Sequence, residues 1–295
     1  MHDSSYLDTR TLQLPFSDGD RTVRIWESQS PPKALILGIH GGLSHSGDYA
    51  TVGNYFCKHQ VTTISFDLYG HGRKPRIDIP GFDVFMEDAV HMLDWVRITY
   101  ATLPVFVMGH SMGALIATHL ELSGRLRTHP IHERVRGVIL SSPYYANAIP
   151  VAPLLITLSG LLAKFFPTAK VPMEDLIDRL THDAEITARH RQDQASGRRA
   201  SQASFRFGRA LLDAQAALNQ DLRQWQHPLF AVLAGDDKLA DVKVSRVMLN
   251  TVRPELLALH DFASNFHENF NELNREQIFH ALHEWMHMQI AAQAQ

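Results

Sequence analysis

The chain has 295 residues, 45% hydrophobic and 20% charged, with a formal net charge of -3 and a single cysteine. This length suits one large α/β domain or two small ones, and the near-neutral charge argues against nucleic acid as the main partner, because phosphate binding wants a basic surface. Cys57 alone excludes an internal disulfide framework and a cysteine-based zinc cluster, and with no basic start and apolar run at the N-terminus the expectation is a cytoplasmic protein without a secretory signal.

In chain order, Thr11–Leu14 and Thr22–Trp26 alternate like edge strands about the turn former Ser17-Asp18-Gly19-Asp20. Short, largely apolar runs follow at Ala34–Ile39, Val61–Phe66, Pro104–Met108 and Val135–Leu140. Short runs of this kind read as strands buried on both faces, the mark of a parallel sheet. Helical patterns lie between them, notably Phe85–Val96, so the class is α/β. After Ser142-Pro143 about eighty residues read as helical throughout, without a strand signal. The strand–helix rhythm resumes at Leu229–Ala234, with a helix from about Val242, a strand at Leu256–Leu259 and a last helix from about Asn274. The predicted organisation is a core of residues 1–143 and 226–295, interrupted by a helical cap over 144–225.

Two catalytic signatures compete. Gly109-His110-Ser111-Met112-Gly113 is a G-x-S-x-G, and His283-Glu284-Trp285-Met286-His287 is an H-E-x-x-H. The serine motif directly follows a buried strand and precedes a helical pattern, Met112–Leu122, so a sharp turn exposes Ser111 at the carboxyl end of the sheet. The histidine pair shares one helix face, but the eight residues after His287 offer no third ligand, so no metal is predicted. A serine nucleophile needs a base and an orienting carboxylate, which this chain order puts on later strand ends. Asp236 and Asp237 follow one such strand. His260 and His267 follow another, and His267, farther out on the loop, is the preferred base. Backbone N–H groups for an oxyanion are predicted at Met112, after the nucleophile, and in His40-Gly41-Gly42-Leu43, after the third strand.

With these motifs in place the chain resembles an α/β-hydrolase of the monoacylglycerol lipase and bacterial lysophospholipase group, from about residue 20 to 285. His40-Gly41-Gly42, His45 and Tyr49 match that group's H-G-x-G-x-H-x-x-R-Y loop, and Asp67–Gly72 matches its D-x-x-G-H-G segment. Leu233–Asp241 resembles its acid loop, which implies Asp237 as the triad carboxylate, and Phe266–Glu272 resembles its histidine segment, which supports His267. Leu43, Asp48 and Lys74 depart from the pattern, where glycine, arginine and serine are usual. The resemblance implies a cofactor-independent serine hydrolase of lipid esters, with Ser111, His267 and Asp237 as triad and Gly42 and Met112 as oxyanion donors. A short-chain esterase or amidase on the same fold is the alternative; a zinc hydrolase or a non-catalytic ligand receptor is a more distant one.

Within the cap, Leu154, Leu155, Leu158, Leu161, Leu162, Phe165 and Phe166 recur at helical spacing. Pro150, Pro153 and Lys164 keep this stripe below the ~20 apolar residues that a membrane span needs. The expectation is a lid whose stripe, through Leu154, Leu158, Leu161, Leu162 and Phe165, lines an acyl pocket and touches membrane surfaces. Arg189, Arg191, Arg198, Arg199, Arg206 and Arg209 read as a solvated basic face, and Cys57 as a structural thiol.

Overall fold

Aliphatic runs too short for helices have one stable outcome, pairing inside a sheet covered on both faces. The computed structural model describes residues 6–16, 18–149 and 160–292. Its main sheet contains β1 (Arg10–Phe16), β2 (Gly19–Trp26), β3 (Ala34–Ile39), β4 (Val61–Phe66), β6 (Val105–His110), β7 (Val135–Ser141), β10 (Leu229–Ala234) and β11 (Leu257–Phe262). The spatial order is β1-β2-β4-β3-β6-β7-β10-β11. β1 and β2 pair antiparallel at one side, β2 joins β4 antiparallel, and every later neighbour is parallel. β3, β4 and β10 are buried along their whole length. Two of the polar residues of β4 are paired there: Ser65 Oγ donates to the Gly38 carbonyl at 3.0 Å, and Thr62 Oγ1 accepts from the Ser28 N–H at 3.2 Å.

Helices Asp83–Thr99 and Met112–Leu122 pack on one face of the sheet, around Phe85, Met92 and Leu115. Helices Ala50–Phe56 and Arg275–Ala292 cover the other, around Phe56, Phe279 and Trp285. The chain therefore leaves the adjacent strands β3 and β6 toward opposite faces. That divergence opens a crevice at their carboxyl ends, where sheets of this type bind ligands. Cys57 is buried, and burial pushes its thiol up, in keeping with a structural role.

The sequence reading needs correction between β7 and β10. That stretch is not wholly helical. Besides helices Ala184–Ala195 and Phe205–Ala217 it carries β8 (Lys170–Pro172) and β9 (Gln202–Ser204). These pair with β5 (Arg76–Ile77) in the order β5-β9-β8, which ties the segment to the loop after β4. Three residues per strand are too few to leave a periodic signal. Nor are its arginines all solvated. Arg199 is only 6% exposed, and Arg206 donates to Asp78 at 2.6 Å through both Nε and an Nη.

Candidate active site

β6 ends in the G-x-S-x-G. Ser111 adopts φ 55° and ψ −117°, a strained conformation that lifts its side chain off the sheet, and Met112 opens the next helix. The flanking glycines permit the close approach of strand and helix. A Cβ at Gly109 would sit 2.3 Å from the Gly113 carbonyl oxygen, and one at Gly113 would sit 2.0 Å from that of Ile39. Ser111 N–H donates to the Ser141 carbonyl of β7 at 2.9 Å, so the turn is anchored to the neighbouring strand.

The loops after β10 and β11 bring the acid and the base together. Asp237 Oδ1 accepts from the N–H groups of Leu239 at 2.8 Å and Ala240 at 3.0 Å, leaving Oδ2 for His267 Nδ1 at 2.7 Å. Asp236 instead points outward and pairs with Lys238. His260 lies within β11, stacked on Phe230. Burial disfavours the His267 cation, yet the Asp237 charge and hydrogen bond outweigh it, and with Glu268 they hold the imidazole above its ordinary range. Burial would raise the Asp237 carboxyl, but His267 and the two backbone donors keep it below the usual carboxylate range. His267 Nε2 is buried and has no hydrogen-bond partner among the described residues, so it is free for a hydroxyl proton. The neighbouring His110 ring, 4.9 Å from that of His267, is pushed down to about 4 by burial and by His267, and so stays neutral.

Opposite Ser111 runs His40-Gly41-Gly42-Leu43. His40 Nδ1 donates to the Gly41 carbonyl at 2.8 Å, while His40 Nε2 accepts from the Leu68 N–H at 3.0 Å. Burial pushes this histidine down to about 3, so one neutral tautomer fixes the loop. No described residue accepts a hydrogen bond from the N–H of Gly42 or of Met112. Two orphan donors beside a nucleophile, one at a helix N-terminus, suit a developing oxyanion.

Ser111, Gly42 and Met112 border a cavity of about 340 Å³. Its apolar wall comes from Ile149, Leu176, Ile177, Leu180, Phe207, Leu211 and Leu239, and Tyr144 and Arg199 also line it. The described part of the predicted apolar stripe does not form this wall. Leu154 and Leu158 lie outside the described residues. Residues 160–165 are helical, but Leu161, Leu162 and Phe165 do not line the cavity, and Leu161 and Phe165 are 51% and 66% exposed. Leu176–Leu180 falls in an irregular stretch with one short turn, which no periodicity could flag; Tyr144, just past the end of β7, could have been found from its place at the carboxyl edge.

Metal-ligand types do cluster. His283 and His287 bring their Nε2 atoms to 3.0 Å, but no third histidine, cysteine or acid joins them at ligand spacing among the described residues. The sets His45–Asp48–Asp193 and Asp48–His190–Glu268, buried except for the partly exposed Asp48, have such spacing. Arg199 already brings positive charge there, contacting Asp48 and lying 3.6 Å from Glu268.

A family model described as serine aminopeptidase, S33 (Hydrolase_4) matches residues 30–274. Phospholipase YtpA of Bacillus subtilis is 29% identical over 259 residues, covering 87% of this chain and 95% of that protein. A monoacylglycerol lipase of Mycolicibacterium smegmatis is 26% identical over 267 residues, covering 89% and 91%. Among solved structures, a soluble variant of the monoglyceride lipase of Saccharomyces cerevisiae, in complex with a substrate analog, superimposes with a TM-score of 0.81 at 17% identity, covering 98% of both chains.

Proposed function

Because the chain belongs to the serine aminopeptidase S33 (Hydrolase_4) family, whose matched relatives include a phospholipase and a monoacylglycerol lipase, we propose that it is a serine hydrolase of lipid carboxylic esters, a monoacylglycerol or lysophospholipid being the substrate class. One observation carries this reading: a strained serine on the sheet's carboxyl edge opens into a largely apolar cavity, beside a histidine bonded to a buried aspartate.

In this mechanism Ser111 Oγ attacks the ester carbonyl as His267 Nε2 takes its proton. The N–H groups of Gly42 and Met112 stabilise the oxyanion. His267 then protonates the departing alcohol, leaving an acyl-enzyme that water hydrolyses by the same path. Asp237 holds the tautomer in which Nε2 is free to accept. Residues 144–225 act as a cap over this cavity, and the apolar wall that they contribute receives the acyl chain. The exposed Leu161, Phe165 and Phe166, beside Lys164, form a ridge suited to contact with a lipid surface. No helix among the described residues is long and apolar enough to cross a membrane.

The test is a panel of long-chain monoacylglycerols, lysophospholipids, acetate esters and aminoacyl amides given to the pure protein, with and without a fluorophosphonate probe. Long-chain esters should be turned over fastest, and the probe should label Ser111 and stop turnover. Faster cleavage of the amides, or turnover that survives complete labelling, would overturn the reading.

A further inference from the structure

We propose that Arg199 and His190 are positioning residues for this reaction: supplied by the segment between β7 and β10, they grip Glu268 and so fix the loop that carries His267. The proposal rests on the serine-hydrolase reading.

The loop after β11 is held from several sides. Ser142 Oγ donates to the His267 carbonyl at 2.7 Å, and Asn269 Nδ2 donates to Ser142 Oγ at 3.0 Å. Both contacts are internal to the sheet's edge. The next residue is held differently. Glu268 N–H donates to the Leu180 carbonyl at 2.8 Å, and Glu268 Oε2 accepts from His190 Nε2 at 2.8 Å and from Asn271 Nδ2 at 2.7 Å. An Arg199 N–H donates to His190 Nδ1 at 3.1 Å, which puts the ring proton on Nε2, facing Glu268. The same guanidinium contacts Asp48 and lies 3.6 Å from Glu268 Oε1. Around it, Thr181 Oγ1 donates to the Asn271 carbonyl at 2.8 Å, and His182 Nδ1 pairs with Glu272 at 2.9 Å.

The need for this grip is electrostatic. Glu268 is buried and the Asp48 side chain is only 11% exposed, and on the main-sheet side they would confront each other as two carboxylates. Asp48 occupies the position where the resembled group has arginine, so this chain lacks a cation in the loop after β3. Arg199 brings one from across the crevice and is itself 6% exposed. Asp48 and Glu268 stay well below the usual carboxylate range: burial works against both charges, and the Arg199 guanidinium, with the hydrogen bond from His190 to Glu268, outweighs it. A charged, hydrogen-bonded Glu268 keeps its neighbour His267 turned toward Asp237.

The ring of His267 faces Asp237 from the β10 loop, His110 from the end of β6 and Glu268 from its own loop; behind Glu268 stand Asp48, His190 and Arg199. Charge changes in the cluster should therefore reach His267 in opposite senses. Arg199→Met leaves excess negative charge, which should favour the imidazolium and move the acid limb of kcat/KM to higher pH. Glu268→Gln should move it to lower pH. Both variants should lower kcat for a short acetate ester by ~10- to 100-fold, the cost of a displaced catalytic group, with KM nearly unchanged. Arg199→Lys should recover much of the loss, and His190→Gln, whose amide can still donate to Glu268, should lose less than His190→Leu.

Folding is followed by thermal melting. If Arg199→Met does not fold, the comparison passes to Glu268→Gln and the two His190 variants. Kcat within twofold of the parent in the folded variants, or losses with an unmoved acid limb, would overturn the proposal. Ser111→Ala runs in parallel. Activity persisting there defeats the serine-hydrolase reading itself, whereas its loss there with full activity in the cluster variants defeats only the positioning role.

Discussion

The carboxyl edge of the sheet and the segment between β7 and β10 border the same cavity, yet different forces hold them. At the edge, the main chain does the positioning. Ser111 sits at a positive φ between two glycines, two N–H groups orient Asp237, and a single histidine tautomer locks the oxyanion loop. Across the cavity, the short β5–β9 pairing is joined by side chains far apart in sequence, Arg199 with Asp48, His190 with Glu268 and Arg206 with Asp78. Positions fixed by main-chain geometry leave motifs in a sequence; those fixed by distant charge pairs do not.

The sharpest attack on this contrast is made at the edge. Asp237→Asn should lower kcat by about 10⁴-fold, because the amide favours the wrong imidazole tautomer. Asp236→Asn, which removes only an exposed pairing with Lys238, should stay within a few-fold. Equal losses in steady-state kinetics would mean that the two backbone donors to Asp237 do not select the carboxylate.

Across the cavity, Leu176→Ser with Leu211→Ser should lower kcat/KM for a long-chain monoacylglycerol by roughly 10- to 100-fold, and far less for an acetate ester. Leu161→Ser with Phe165→Ser should leave turnover of dispersed substrate unchanged and weaken binding to lipid vesicles, read by co-sedimentation. If the second pair costs turnover instead, the exposed ridge belongs to the acyl site after all.

A smaller effect concerns pH. In the proposed mechanism His267 must be neutral to take the Ser111 proton, and Asp237 holds its imidazolium above the ordinary value of 6.5. Activity should therefore fall as pH drops through a point above 6.5. Asp237→Asn should move that point downward in the residual kcat/KM profile. The smallest effect is none. His283→Ala, His287→Ala and added chelator should each leave turnover within experimental scatter.

The same contrast explains what could be read in advance. Apolar runs marked β3 and β10 with their observed limits, because strands buried on both faces are mainly apolar, and β4, with Thr62, Thr63 and Ser65 among its apolar residues, was found at its limits as well. The strand–glycine–serine–glycine–helix pattern located Ser111, and position on a loop rather than in a strand separated His267 from His260. The choice between Asp236 and Asp237 was not legible from composition or spacing. It depends on which carboxylate meets the N–H groups of Leu239 and Ala240, and only the resemblance to a known acid loop supplied it. The apolar wall misled for the opposite reason. Leu161 and Phe165 have strong helical periodicity but face outward, whereas Leu176, Ile177 and Leu180 line the cavity from a stretch without periodicity.

The three-stranded sheet β5-β9-β8 has a consequence for anyone treating residues 144–225 as an exchangeable part. β5 belongs to the loop after β4, so replacing the segment with a short linker would strip Arg76–Ile77 of its pairing partner among the described residues. The same excision would leave Asp48 and Glu268 without Arg199, two carboxylates stripped of their counter-cation, which should cost stability. A graft from a relative would succeed only if it brought its own partner strand for β5 and its own cation. In evolutionary terms, the two portions of this chain are free to diverge only in step.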